Sequence, residues 1–344
     1  LEEIRVTKTI NMPKETTEVG RVVRQYLKKF PNTSKRTIAA KLLKDHPLLF
    51  NSEETARTAI RYHTGANGSK DKKKAIDIIE HKTNFSSSNP YGLPPTEAKP
   101  FEPYILPKAS NNILFLTDIH LPYHDINALT LALKYGKERN VNTIYLNGDI
   151  MDCYKASFHE QNPNNRDMSY ELEQCREFLD LLKREFPNAK IFYKEGNHEM
   201  RWERFLRVKA PICLGMEEFR LSVLLKLGEK GVTWIENKTL TIAGKLSIVH
   251  GNEMKGGGGI NVARTLWLRA STNIIAGDKH KTQDMIETDI QNNSHGAWSV
   301  GCLCELNPDY LPYNRWNHGF AIIIISSDGS FEVQNKRIVK GKVV

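Results

Sequence analysis

No stretch of this chain approaches the roughly 18–20 consecutive apolar residues that cross a bilayer, so a membrane-spanning helix is excluded. No charged-then-apolar signal segment stands at its start either. Cysteine is scarce. Cys153, Cys175, Cys213, Cys302 and Cys304 make an odd, scattered set, which argues against a disulfide framework and for thiols kept reduced in a cytoplasm. Cys302-Leu303-Cys304 lies in an apolar, strand-like run. Alternation along a strand would put both sulfurs on one buried face, so the expectation is core rather than a metal site. No internal repeat recurs.

Acidic residues are in deficit at one end only. Residues 1–85 hold 18 lysines and arginines against 10 acids, a net +8, whereas the other 259 residues hold 31 against 30, a net +1. A basic module joined to a near-neutral one points to a polyanionic partner. The basic part reads as three short helices: one over residues 17–30 with Val19, Val22, Val23, Tyr26, Leu27 and Phe30 at helical spacing, one from Ser34 burying Ile38, Leu42 and Leu43, and one opening with a capping box of Asn51 and Glu54 and running to His63. This is a helix-turn-helix-like bundle. Arg57 and Arg61 project from one face of its third helix. Arg36, Lys41, Lys44 and the run Lys72-Lys73-Lys74 add charge, so nucleic acid, DNA ahead of RNA, is the expected partner. A bundle whose charges merely keep it soluble is the plainer alternative, and the oligomeric state is left open.

Three segments follow from these patterns: a basic helical domain over residues 1–83, a linker rich in serine and proline over 84–110, and a larger domain over 111–344. Ser86-Ser87-Ser88 and six prolines from Pro90 to Pro107 cannot continue a helix or a central strand and predict an extended, stiff connection. Beyond it, strands over Ile113–Thr117, Thr143–Leu146 and Ile191–Tyr193 alternate with helices from Asp125 to about Lys137 and from Tyr170 to Glu185. After Gly231 the pattern turns to β, with strands over Val232–Ile235, Leu240–Ala243, Leu246–Val249, Asn273–Ala276, Trp298–Cys304 and Ala321–Ile325. The predicted class is α/β (α+β), a two-sheet sandwich flanked by helices and preceded by a small all-α domain.

Chemistry concentrates in five short segments, all but one closing a predicted strand: Asp118-Ile119-His120, Gly148-Asp149-Ile150-Met151-Asp152, Gly196-Asn197-His198-Glu199, His250-Gly251 and Gly277-Asp278-Lys279-His280. Carboxylates, imidazoles and one amide together form a ligand set for divalent cations. In order and character the five resemble the signature of the calcineurin-like metallophosphoesterases. The resemblance implies two divalent ions, Mn2+ first and Mg2+, Fe or Zn2+ as alternatives. One ion would take Asp118, His120, Asp149 and His280, and the other Asp149, Asn197, His250 and Asp278, with Asp149 bridging. It also implies that His198 lies beside the phosphate, oriented and kept protonated by Asp152. Arg201 is placed to approach a phosphate oxygen. The run Gly256–Gly259 lacks the lysine-threonine ending of a P-loop and reads as a loop near the site mouth.

Two features depart from the family's pattern. Its last motif usually reads Gly-His-x-His, but Asp278 replaces an imidazole here. A carboxylate can ligate hard ions, yet it reaches less far, so this substitution bears directly on activity. The family's serine/threonine phosphatases follow Gly-Asp-x-x-Asp with Arg-Gly, whereas this chain continues with Cys153-Tyr154. The expectation is therefore a bacterial or phage-type intracellular phosphodiesterase, a nuclease using metal-activated water. A phosphatase or small-nucleotide phosphodiesterase is the alternative, and a nucleic-acid-binding protein with a weakened metal site is the third reading.

Overall fold

The structure, a computed structural model, describes residues 17–31, 33–64, 89–91, 93–158, 167–255 and 260–344. The runs Lys72-Lys73-Lys74, Ser86-Ser87-Ser88 and Gly256–Gly259 lie outside the described residues. The chain divides into two compact units, Leu1–Lys99 and Pro100–Val344. No helix among the described residues is long and apolar enough to cross a membrane.

In the first unit, helices α1 (Glu18–Lys29), α2 (Lys35–Asp45) and α3 (Glu53–His63) close over Val23, Ile38, Leu42, Phe50, Ala56 and Ile60. Thr17, Ser34 and Ser52 cap them by accepting from backbone N–H groups of the first turn. The box on α3 is therefore Ser52 with Thr55, one residue later than the predicted Asn51 and Glu54. The shift has a physical cause: the Thr55 hydroxyl accepts from Ser52 N–H at 3.1 Å, while the Glu54 carboxylate is engaged by Arg57 and Arg61.

The second unit is a two-sheet sandwich. Strands β1 (Tyr104–Ile105), β6 (Thr241–Ala243), β7 (Leu246–Ile248), β8 (Ile274–Ala276), β9 (Gln283–Thr288) and β10 (Ser294–Ser299) form a six-stranded sheet ordered β1-β6-β7-β8-β10-β9. The other sheet has seven strands ordered β13-β12-β11-β2-β3-β4-β5, built from β2 (Asn112–Leu116), β3 (Thr143–Asn147), β4 (Lys190–Lys194), β5 (Val232–Ile235), β11 (His318–Ile325), β12 (Phe331–Val339) and β13 (Lys342–Val343). Strands β2 to β5 run parallel. Alternate residues of these strands serve two cores. Ile113, Phe115, Tyr145 and Phe192 meet Ile248, Ile275 and Trp298 between the sheets. Leu114, Leu116, Ile144, Leu146 and Ile191 face the helices α4 (Ile126–Glu138) and α5 (Met168–Glu185), which supply Ala128, Ala132, Leu179 and Leu182. Burial on both faces explains why these strands read as unbroken apolar runs. Asp125 caps α4 and Asp167 caps α5. Among the described residues, three further α-helices, α6 (Met200–Lys209), the single turn α7 (Leu221–Leu224) and α8 (Val262–Ala270), have no counterpart in the predicted elements.

Two expectations are corrected. The proline-rich segment is not a separate linker as far as residue 110: Tyr104 and Ile105, extended, pair in parallel with Thr241 and Ile242, and Leu106 enters the core between the sheets. The predicted strand over Trp298–Cys304 ends at Ser299: beyond it the chain leaves the ladder, and Cys302 N–H donates instead to the Asn317 carbonyl, where Gly301 allows close backbone approach. Docking of the segment has a measurable consequence. Leu106→Ala is expected to cost about 2 kcal/mol or more in urea denaturation, the usual penalty for truncating a buried leucine, whereas a free linker would give no change.

Candidate metal centre

Each of the five motif segments directly follows a strand: β2, β3 and β4 of the larger sheet, and β7 and β8 of the smaller one. The ligand residues thus gather where the carboxyl ends of parallel strands converge. Simple strand alternation does not aim them. Asp118, His120, Asp149, Asp278 and His280 all adopt left-handed backbone conformations, with φ between 52° and 63°. Five of the seven predicted ligands thus occupy a region that L-residues avoid, and strain of this kind clusters at functional sites. Close approach of the loops is enforced by glycine. At Gly148, with φ of 83°, an added Cβ would lie 2.6 Å from His250 Nδ1 and 2.7 Å from Gly196 Cα.

All seven predicted ligand residues come together around Asp149. His280 Nε2 is 3.2 Å from Asp118 Oδ1 and 3.4 Å from His120 Nε2, and His120 Nε2 is 4.0 Å from Asp149 Oδ2. On the other side, His250 Nε2 is 3.3 Å from Asp149 Oδ2, 3.2 Å from Asn197 Oδ1 and 3.9 Å from Asp278 Oδ1. Two sets of possible ligand atoms within 4.8 Å of one another, Asp118-Asp149-His250 and His120-Asp149-His198, share Asp149.

These groups fit a pair of divalent cations. His120 Nδ1 faces Asp152 Oδ1 at 3.0 Å and His250 Nδ1 faces the Asn147 carbonyl at 2.5 Å. With those nitrogens donating, both Nε2 lone pairs are free to ligate. Asp118 and Asp149 are almost wholly buried, and buried carboxylates at such separations call for cationic compensation. Burial pulls the His250 and His280 imidazoles down. For His250, the Asp149 and Asp118 carboxylates outweigh that pull and push it well above its ordinary value. For His280, Cys302 and Asp118 do the same.

A second tier of side chains fixes the loops. The Glu199 carboxylate, fully buried, accepts N–H bonds from Asp149, Ile150, Met151 and Gly196 at 2.8–3.1 Å and the Tyr193 hydroxyl at 2.9 Å. Glu253 accepts from Gly251 N–H at 2.7 Å and His250 N–H at 3.2 Å, and pairs at 3.1 Å with the buried Lys194. Asp118 receives the Thr117 hydroxyl at 2.7 Å and the Asp278 N–H at 2.9 Å. The sequence motifs contain Glu199 but assign it no role, and they leave Glu253, Lys194 and Thr117 unmarked. Their functions depend on chain segments brought from far away.

His198 and Asp152 are also adjacent. His198 Nδ1 is 2.9 Å from Asp152 Oδ1, and its N–H donates to Asp149 Oδ1 at 2.8 Å. Burial lowers the His198 pKa, but the Asp149 charge and the Asp152 hydrogen bond overcome this and raise it. Burial lifts Asp152, yet hydrogen bonds from His120 and His198 hold it below the usual carboxylate range. Arg201 donates to the Asp152 carbonyl at 2.9 Å and stands 2.8 Å from His198 Nε2.

Three sequence-based expectations meet different surroundings. Asp278 faces His250, but its Oδ2 lies 2.5 Å from Lys279 Nζ, so a neighbouring ammonium competes for this carboxylate. Cys302 and Cys304 are buried, yet they do more than fill the core: Cys304 Sγ is 3.9 Å from His280 Nδ1 and shares a cluster with His120 and His280. In the first unit, Arg57 and Arg61 both pair with Glu54 at 3.1 and 3.3 Å, and Arg36 pairs with Glu53 at 3.7 Å. Lys41 lies over the Phe30 ring at 4.6 Å, and Lys44 is exposed.

A sequence model of the calcineurin-like phosphoesterases matches residues 112–310, more than half the chain, and the chain belongs to that family. The gene 54 protein of Mycobacterium phage L5 is 24% identical over 234 residues, which span 63% of this chain and 89% of that protein. Among solved structures, a Vps29 single mutant from Entamoeba histolytica aligns with a TM-score of 0.35 at 13% identity, over 68% of this chain and 96% of its own. A dimetal phosphatase from Danio rerio aligns with a TM-score of 0.31 at 12% identity, over 66% and 96% respectively.

The Asp278–Lys279 pair engages the carboxylate expected to serve the second cation position. Lys279→Ala is expected to tighten binding of the second Mn2+ equivalent several-fold in isothermal titration, leaving the first unaltered. Equal affinities for both ions in the unsubstituted chain, with no response to Lys279→Ala, would contradict this assignment.

Proposed function

We propose that this calcineurin-like phosphoesterase is a dinuclear metal-dependent phosphodiesterase, and that its substrate is a nucleic acid. One observation carries the choice of substrate: a calcineurin-like phosphoesterase domain shares a chain with an 85-residue segment of net charge +8. When bound, the metal pair would polarise a phosphoryl oxygen and lower the pKa of a water nucleophile. Asp118, His120, Asp149 and His280 would hold one ion, and Asp149, Asn197, His250 and Asp278 the other.

The remaining groups act on the phosphate and the proton. With Asp152 accepting from Nδ1, His198 turns Nε2 toward the site, where Arg201 stands against it. A phosphate oxygen competes for the Arg201 guanidinium, which suits bidentate recognition. Drawing that guanidinium onto the substrate would release His198 Nε2 to carry a proton to the leaving oxygen. Asp152 is the orienting group in this scheme.

The paired Asp278 and Lys279 favour a second reading, in which the second site is weak and the chain chiefly binds nucleic acid. Activity separates the two. Asp149→Asn keeps the side chain's shape but removes the charge shared between two cations, so hydrolysis of bis-p-nitrophenyl phosphate with Mn2+ should fall by at least about 10²-fold. Unchanged hydrolysis in that variant, or full activity in excess chelator, rules out the metal mechanism.

Binding by the basic segment is expected to be dominated by phosphate contacts. The log-log dependence of affinity on salt should steepen by about 0.9 per phosphate on duplex and about 0.7 on single strands. Arg57→Ala with Arg61→Ala should make that slope shallower. Affinity that is flat between low and moderate salt excludes a phosphate-contact role for the segment.

A further inference from the structure

The segment between Cys304 and β11 carries an unusual density of exposed rings. Tyr310 is 71% exposed, Tyr313 93% and Leu311 40%. Three such side chains within four residues make a clustered rather than a scattered exposure. The segment is also firmly braced. Asn314 Nδ2 donates to the Leu306 and Leu311 carbonyls at 2.5 and 2.9 Å, Asn307 Nδ2 donates to Pro312 O at 2.9 Å, and Trp316 N–H donates to Asn314 Oδ1 at 2.8 Å. The rings are therefore held out into solvent by a fixed scaffold.

This scaffold abuts the metal centre. Asn317 N–H donates to the His280 carbonyl at 3.0 Å, and the Trp316 ring packs on the His280 imidazole at 4.1 Å between centroids. Tyr310 lies 6.5 Å from Trp316. Rings thus step outward from a ligand of the first cation to open solvent. Lys281 follows His280 on the segment beside the loop, and Lys279, on the other side of His280, is paired with Asp278. The family match stops at residue 310, so Leu311 to Trp316 lie beyond it.

We infer that the loop from Tyr310 to Trp316 is a stacking platform for unpaired bases, and that the strand offered to the metal centre is single-stranded. The inference rests on the nuclease reading above and narrows its substrate. Every base has a π-face, so aromatic rings grip an unpaired strand without reading its sequence, while nearby cations follow its phosphates. A duplex keeps its bases stacked on one another and offers none to the loop. Tyrosines also serve protein-docking faces, so a second copy of this chain is the competing occupant, and the ring ladder from the His280 imidazole through Trp316 to Tyr310 is what favours a strand entering the metal centre.

The test uses the full chain in chelator, so that no strand is cut, with a single-stranded oligonucleotide carrying 2-aminopurine. Tyr310→Ala and Tyr313→Ala should each weaken binding by about 5-fold or more, the usual effect of losing one stacked base. Aminopurine emission should be quenched on binding the unsubstituted protein, recover with the alanine variants and stay quenched with Tyr310→Phe and Tyr313→Phe. Affinity for the matching duplex should not follow the alanine changes. Unquenched emission, together with single-strand affinity indifferent to both alanine changes, overturns the platform; the nuclease reading then survives if the unsubstituted protein with Mn2+ cleaves oligonucleotides. Hydrolysis of bis-p-nitrophenyl phosphate without binding or cleavage of any oligonucleotide overturns both. A self-association abolished by Tyr313→Ala, with oligonucleotide affinity intact, assigns the rings to a second copy of this chain and also overturns the platform.

Discussion

The Glu199 carboxylate is the constraint on which the site depends. It collects four backbone N–H groups and a tyrosine hydroxyl in a fully buried setting. Three of the amides belong to the Asp149 loop and one to the loop of Asn197 and His198, so a single side chain locks the bridging carboxylate to the neighbouring ligand segment. Removing it would strand several buried donors, each worth about 1–3 kcal/mol when left unsatisfied. Glu253 repeats the device at the His250 loop, with Lys194 balancing its charge. The left-handed conformation at Asp149 is tolerable because Glu199 over-determines the loop that carries it.

Cation binding and loop order are coupled through the same residues. Asp118 is fixed by the Thr117 hydroxyl and by the backbone of Asp278, so the loop after β8 supports the first cation position even where its own carboxylate is diverted to Lys279. The site is therefore asymmetric. One half is closed by two imidazoles and two carboxylates, and the other rests on His250, Asn197 and a contested Asp278. The charge logic is local: the ammonium that pairs with Asp278 is contributed by the adjacent residue, Lys279.

Much of this was legible in the sequence. Strands β2, β3 and β4 read as apolar runs because sheets and helices bury both their faces, and the ligand motifs stand at their ends. The caps on Asp125 and Ser34 were readable because a cap acts within three residues of itself. Strand β9 was missed since its exposed edge position asks for no apolar pattern, and β12 because polar residues fill its half-buried face. The pairing of Tyr104 and Ile105 with β6 leaves no local mark, because prolines flank two residues that dock on a strand far along the chain. Glu199 and Lys194 were opaque for the same reason: a lone charged residue gains a role only from partners brought by the fold. Cys304 looked like core and is core, yet its sulfur also faces a ligand imidazole, which alternation cannot foretell.

The central claim is that two cations sit on either side of Asp149. Anomalous diffraction at the manganese edge from crystals grown in saturating Mn2+ tests it most directly. Two peaks are predicted, one among Asp118, His120 and His280 and one beside Asn197 and His250, with Asp149 between them. No peak in this pocket, or peaks that leave Asp149 without a metal neighbour, would contradict it.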